Sequence, residues 1–201
     1  MALRIFYIII TRMFDDLNNW LNENPAFFSD VESETERLGS ASRIALAGAF
    51  SLPLAPVLLE GRLAESVEIV CDDESYDFWS SMLNDARASR ARMLTGQFDL
   101  IYAPMCINYM NQKDVVPFLF DCHDSLSAGG TLILSFHDSL HPDPGQGRLV
   151  PLWFSEQEVM TKYYTLEDVL NALGTIGFSI RDIREIEGEG IMHAVSLKCS
   201  L

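Results

Sequence analysis

Positive charge is what this chain has least of. Its 201 residues hold 14 Lys and Arg against 29 Asp and Glu, a net charge of −15. Sequence-independent binding to nucleic acid needs Lys and Arg to neutralise phosphates, so that class of function is set aside. The one basic concentration, Arg87, Arg90 and Arg92, reads as the solvated face of a helix. Paired cysteines are missing too. Cys71, Cys106, Cys122 and Cys199 stand far apart with no CxxC among them, so free thiols in a reducing cytoplasm are expected. Long apolar runs are also missing. The run Ile5 to Ile10, preceded only by Arg4, is too short for a bilayer and has no small-residue cleavage pattern. It reads as a strand or buried arm, and the protein is placed in the cytoplasm without a membrane span. Internal repeats and low-complexity tracts are absent as well.

What is present suffices for a full core: 48% of residues are hydrophobic and 10% aromatic. The length fits one domain with a small appendage. Met13, Phe14, Leu17, Trp20 and Leu21 recur at helical spacing, and Asn24-Pro25 breaks that helix. Ser29-Asp-Val-Glu32 is a capping-box pattern, and Gly39 is a stop for the short acidic helix that follows. Residues 1–41 are therefore read as an N-terminal helical segment and 42–201 as the main domain.

The main domain is organised around Ser42 to Asp73. Arg43 to Ala47 is apolar on both faces, as an interior parallel strand is. Gly48 follows, then a helix begun at Pro53 and Pro56, where a missing N–H costs nothing. The next strand, Val67 to Cys71, ends in Asp72 and Asp73. That is the outline of a nucleotide-binding βαβ unit. Ser75 can cap a helix burying Phe78, Trp79, Met82, Leu83 and Ala86.

Gln97 to Tyr102 is a strand and Ala103 to Asn111 a loop. Asp114 caps a helix carrying Val115, Val116, Leu119, Phe120 and Leu126. Ser127 to Gly130 turns the chain into the apolar strand Thr131 to Phe136. His137 to Lys162 is rich in Pro and Gly without a clear period, and reads as a long loop. Thr165 caps a helix with Leu166, Val169, Leu170 and Leu173 inward. Ser179 to Ile186 and His193 to Lys198 form a closing hairpin at Gly188 and Gly190. The alternation predicts an α/β three-layer sandwich, mostly parallel, with an antiparallel C-terminal edge hairpin.

Phe98-Asp-Leu-Ile, Leu126-Ser-Ala-Gly-Gly-Thr-Leu-Ile-Leu-Ser135, and Tyr164-Thr-Leu-Glu-Asp-Val-Leu followed by Gly177-Phe178 carry a resemblance in their order and spacing. From Arg43 to Leu197 the chain resembles the class I S-adenosylmethionine-dependent methyltransferases of the small-molecule type. The resemblance implies a Rossmann-like sheet, S-adenosylmethionine as cofactor, Gly48 in the cofactor loop, and Asp72 or Asp73 on the ribose hydroxyls. The same two acids also read as a turn capping the Ser75 helix. The family's first strand ends in an acid and enters a GxGxG-type loop. Here Leu46 stands at the acid, and Phe50 and Leu52 stand at the later glycines. A phenylalanine brings on the order of 150 Å² of side chain into the methionine or ribose subsite. The family's third strand has only Ala91 to Gly96 to form in, so it is shortened or absent. These departures imply loss of the cofactor as readily as its retention.

Ligands in open α/β sheets sit beyond the carboxyl ends of the strands. After the fourth strand come Tyr102, Met105, Cys106, Asn108 and Tyr109. In the resembling family this loop touches the methyl-accepting atom. The Asp/Asn-Pro-Pro-aromatic motif of amino-group methylases is missing, Ala103-Pro104 being the nearest approach. After the fifth strand come His137 and Asp138. They form a proton-abstracting pair, or else a cap at a strand end.

The candidate catalytic residues are thus His137, Asp138 and Tyr109, and the cofactor candidates Gly48, Asp72 and Asp73. Cys106, Asn108, Trp153 and Tyr163 are candidates for a substrate pocket. Trp153, Phe154, Tyr163 and Tyr164 line a lid or a satellite core. His123 and His193 belong at the core edge and His141 in solvent. No metal is expected, because His137 and His141 with Asp138 and Asp143 lie in a segment without helical spacing.

The function expected is that of a methyltransferase-fold protein with a damaged cofactor loop. It would be a non-methylating partner of an active homologue, or a repurposed small-molecule enzyme. An active atypical methyltransferase, and an acidic interaction domain that recruits a basic partner, remain open.

Overall fold

The computed structural model describes residues 26–40, 42–52, 54–71, 86–138, 148–151, 158–188 and 191–201. The helices expected before Pro25 and after Ser75 lie outside them. The frame is a seven-stranded sheet, in spatial order β3 (Ala88–Ala91), β2 (Ser66–Val70), β1 (Arg43–Ala47), β4 (Phe98–Pro104), β5 (Leu126–His137), β9 (Ile191–Ser200) and β8 (Ser179–Gly188). Its central strand β1 (Arg43–Ala47) pairs in parallel with β2 (Ser66–Val70) and with β4 (Phe98–Pro104). Ala45 and Ala47 face one core with Ile101, Ala103 and Phe136. Ile44 and Leu46 face the other with Val67, Leu100, Tyr102 and Ile133. Successive side chains of a strand point to opposite faces, so an unbroken apolar run fits where both faces are covered.

β5 (Leu126–His137) continues the parallel set beside β4. The C-terminal hairpin is β8 (Ser179–Gly188) and β9 (Ile191–Ser200), with β9 antiparallel to β5 and β8 at the edge. Helix α5 (Leu166–Ile176) starts as expected, with Thr165 Oγ1 accepting from the Asp168 N–H at 3.0 Å. It stops at Gly177, where φ is +117°.

Several local expectations are corrected. The first described helix, α1, runs Ala26–Leu38, so Ser29 lies inside it instead of capping it. α2 is Leu54–Glu60. The third strand is present but short: β3 is Ala88–Ala91, parallel to β2. It puts Ala86 and Arg87 in a turn and Arg90 on a strand, not on a helix face. The loop after β4 contains a short helix, α3 (Cys106–Tyr109). α4 is Gln112–Ser125 with Asn111, not Asp114, at its cap. Part of the expected long loop is a second sheet, β6 (Arg148–Pro151) antiparallel to β7 (Glu158–Thr161). Its apolar residues alternate too briefly for the period to show in the sequence.

α1 lies on the face where β5 and β9 are polar. Val31 joins the core with Tyr102 and Ile133, while Glu34, almost fully buried, meets a ring of donors. Its Oε1 accepts from Thr131 Oγ1 at 2.7 Å and from Arg37 Nε at 2.8 Å, and its Oε2 pairs with Lys198. Burial pushes this carboxyl up, but the bonds from Arg37, Lys198 and Thr131 and the Lys198 charge outweigh it and hold it at about 2. One turn earlier, Asp30 Oδ1 pairs with Arg184 at 2.6 Å, and Oδ2 accepts from Ser196 Oγ at 3.4 Å. Burial pushes the Tyr102 phenol far up, and the Asp30 charge adds to it.

Candidate functional site

The strand order reverses between β1 and β4, so the segments leaving their carboxyl ends part to opposite faces and open a crevice. β1 ends at Gly48, whose φ of +80° suits a residue without Cβ. A Cβ there would stand 3.1 Å from Cys106 Sγ, so the glycine also makes room for the start of α3. The Gly48 N–H donates to the Val70 carbonyl at 2.9 Å. Its own carbonyl accepts from Ser51 twice, from the N–H at 3.2 Å and from Oγ at 2.7 Å. The turn is closed on itself.

Phe50, in the single 3-10 turn Ala49–Ser51, stacks on Tyr109 with ring centroids 5.0 Å apart and planes at 22°. Both rings lie against Met105, Ile186 and Ala194. Leu52 is fully buried with Leu46. On the β4 side the chain turns through Met105, which has φ +54°. A residue with a Cβ bears about 1–2 kcal/mol of strain in that region. The surroundings hold it there: Met105 is buried and its N–H donates to the Ser135 carbonyl at 2.8 Å.

Asn108 ties three segments together. Its Oδ1 accepts from the His137 N–H at 2.9 Å, and its Nδ2 donates to the His137 carbonyl at 3.1 Å and to the Lys162 carbonyl. Its own carbonyl accepts from the Lys162 N–H at 2.8 Å. The side chain is wholly buried and its amide is occupied by backbone. Lys162 completes the tie by donating from Nζ to the Met110 carbonyl at 2.7 Å.

Beside this clamp, His137 and Asp138 are both buried at the end of β5. The His137 ring lies 6.2 Å from that of Tyr163, tilted by 43°. Asp138 bridges to Tyr164 through the backbone. Burial pushes the Tyr109 phenol up to about 12, the neighbouring Tyr163 adds to it, and the nearby Thr161 hydroxyl opposes it. Burial also pushes the Cys106 thiol up to about 12. At neutral pH Cys106 is a protonated contact, not a nucleophile.

Gly48, Cys106, Asn108, Tyr109, His137, Asp138 and Tyr163 thus converge on one end of the sheet. Asp72, Asp73 and Trp153 lie outside the described residues. His123 is at the core edge as expected, edge-on to Phe178 at 5.4 Å. Thr161 and Lys162 are not foreseen as members of this cluster, because Thr161 ends β7 and Lys162 follows it, where the sequence shows no period. The arrangement can orient a neutral polar group between phenols and an imidazole, the side chain suited to moving protons near neutral pH. Among the described residues, no group of His, Cys, Asp and Glu is placed to hold a metal. No described helix is long and apolar enough to cross a membrane.

No protein-family model matches the sequence, and no curated protein matches it at a significant level. Solved structures do match. An S-adenosylmethionine-dependent methyltransferase from Clostridium acetobutylicum superposes with a TM-score of 0.65 at 15% identity, over 97% of this chain and 98% of that one. The 1,6-didemethyltoxoflavin-N1-methyltransferase of Burkholderia thailandensis, with its substrate and S-adenosylhomocysteine bound, gives 0.63 at 15% identity, over 98% of this chain and 88% of that one. The glycopeptide N-methyltransferase MtfA, in complex with S-adenosylmethionine, gives 0.62 at 16% identity, over 86% and 93%. The chain has the fold of the class I S-adenosylmethionine-dependent methyltransferases.

Proposed function

We propose that this is a methyltransferase-fold protein that does not transfer methyl groups. Its room for the cofactor is taken by its own side chains. It works as the partner of an active homologue or as a repurposed small-molecule enzyme in the cytoplasm.

The observation that carries this is the Phe50–Tyr109 stack beside Gly48. Tested against S-adenosylmethionine, the site keeps one glycine with the required backbone and fills the space next to it. Phe50 and Tyr109 are packed on Met105, Ile186 and Ala194, so neither ring swings aside without exposing apolar surface. The buried carboxyl expected at the end of the first strand is replaced by Leu46, which is fully buried in the core. What survives is the cluster of His137, Asp138, Tyr109 and Tyr163, held by the Asn108 clamp, a site for a small polar molecule handled without a methyl donor.

Calorimetric titration with S-adenosylmethionine and S-adenosylhomocysteine tests this. No binding is expected for the native chain, and measurable binding is expected for Phe50→Gly, which clears the space. Micromolar binding by the native chain would overturn the reading. The second reading is an active atypical methyltransferase acting on a small molecule. The left-handed Gly48 favours it, as do the bound cofactor or product in two structures of this fold.

A further inference from the structure

The sheet ends at β8, and among the described residues no strand lies beyond it. Its outer edge, exposed from Arg181 to Glu185, is a template for pairing. We infer that β8 is a seam between two copies of this chain, paired antiparallel about a two-fold axis through Ile183.

The charge order of the strand carries the argument. Asp182-Ile-Arg184 is self-complementary when reversed. With Ile183 opposite Ile183 of the second copy, Asp182 stands opposite Arg184, and the two-fold repeats the pair. Neighbouring registers fail. Centring on Asp182 sets two carboxylates face to face, and centring on Arg184 sets two guanidinium groups face to face. Like charges directly opposite are destabilising, while opposite charges stabilise.

The structure prepares this edge. Residues 181–185 are all exposed, and Ile183, an apolar side chain, is 44% exposed. The ladder with β9 is regular from Asp182 to Ile186, between two irregularities, so the central pairs lie on the straight part of the strand. Arg184 is already oriented by Asp30 at 2.6 Å and Asp182 at 3.0 Å. The Ile183 N–H donates to the Asp182 carboxylate at 3.0 Å, a local substitute for a strand partner. In the seam, Asp182 and Arg184 pairs form on the α1 side of the sheet and the Ile183 pair on the other. A seam of one strand buries less than a standard interface, so the dimer is weak and concentration-dependent.

Sedimentation equilibrium of the full chain from micromolar to millimolar concentration tests this. The native chain is expected to show a monomer–dimer equilibrium. Asp182→Arg sets Arg against Arg184 of the second copy and should weaken association at least tenfold. Ile183→Asp should abolish it. These positions are exposed, and circular dichroism checks that each variant stays folded. A monomer at every concentration overturns the inference, as does a dimer indifferent to Asp182→Arg.

Discussion

Two buried polar clusters hold this molecule together, and they are built on opposite terms. Under α1, ionised groups meet ionised groups: Glu34 with Lys198 and Arg37, Asp30 with Arg184. At the carboxyl ends of β1, β4 and β5, neutral groups meet backbone and one another. Asn108 spans His137 and Lys162, Phe50 stacks on Tyr109, and a phenol and a thiol are held protonated. In the first cluster hydrogen bonds and charge outweigh burial, and the Glu34 carboxyl is driven down. In the second burial wins, and the Tyr109 phenol and the Cys106 thiol are driven up. The first cluster therefore stabilises the fold, while the second keeps polar side chains neutral and in place, as a site for a ligand requires.

The largest break in that contrast is Glu34→Ala. It leaves Lys198 without its carboxylate and should cost about 3–5 kcal/mol, read as a lower urea midpoint at unchanged slope. Adding Lys198→Met should recover much of the loss, because the uncompensated charge is then gone.

Acid should separate the two clusters next. The folded pKa of Glu34, about 2, lies below its ordinary 4.5, so its stabilisation is complete above that ordinary value and is lost as pH falls towards 2. Urea midpoints should drop over this range in the native chain and drop less in Glu34→Gln. A native profile as flat as the variant's would remove the distinction between the clusters.

In the neutral cluster, Asn108→Ala should cost about 2 kcal/mol, since it strands the buried His137 N–H without an acceptor. Hydrogen exchange of the His137 amide should speed up while amides of β2 keep their protection. The smallest effect belongs to Phe50→Ala. It removes the stack on Tyr109 and should cost about 1 kcal/mol in thermal or urea unfolding. A cost above that of Asn108→Ala would show that the stack, not the amide clamp, holds the crevice.

Much of the frame was legible from the chain alone. The interior strand at Arg43–Ala47, the Thr165 cap and the closing hairpin all follow from local pattern, because each depends on residues adjacent in sequence. The helix starts at Ser29 and Asp114 were misplaced, since a cap signal competes with every nearby residue able to begin a turn. The third strand, expected shortened or absent within Ala91 to Gly96, is shortened and lies at Ala88–Ala91, while β6 and β7 escaped because four residues carry no readable period.

Of the site, the sequence named Gly48 for the cofactor loop, Tyr109 and His137 as catalytic candidates and Asn108 for a pocket, all near strand ends. It did not give their mutual contacts. Asn108 read as a pocket residue and proves to be a clamp whose amide is occupied by backbone from two other segments.

Composition and pattern, then, determined the sheet, its parallel sense and the replacement of the cofactor loop's glycines by Phe50 and Leu52. Those are properties of consecutive residues, and the backbone expresses them wherever the segment lies. Only the tertiary structure decided that Phe50 meets Tyr109, that Glu34 meets Lys198 and that Asn108 meets His137. Such contacts join segments far apart in the chain, and their energy depends on what else is buried beside them.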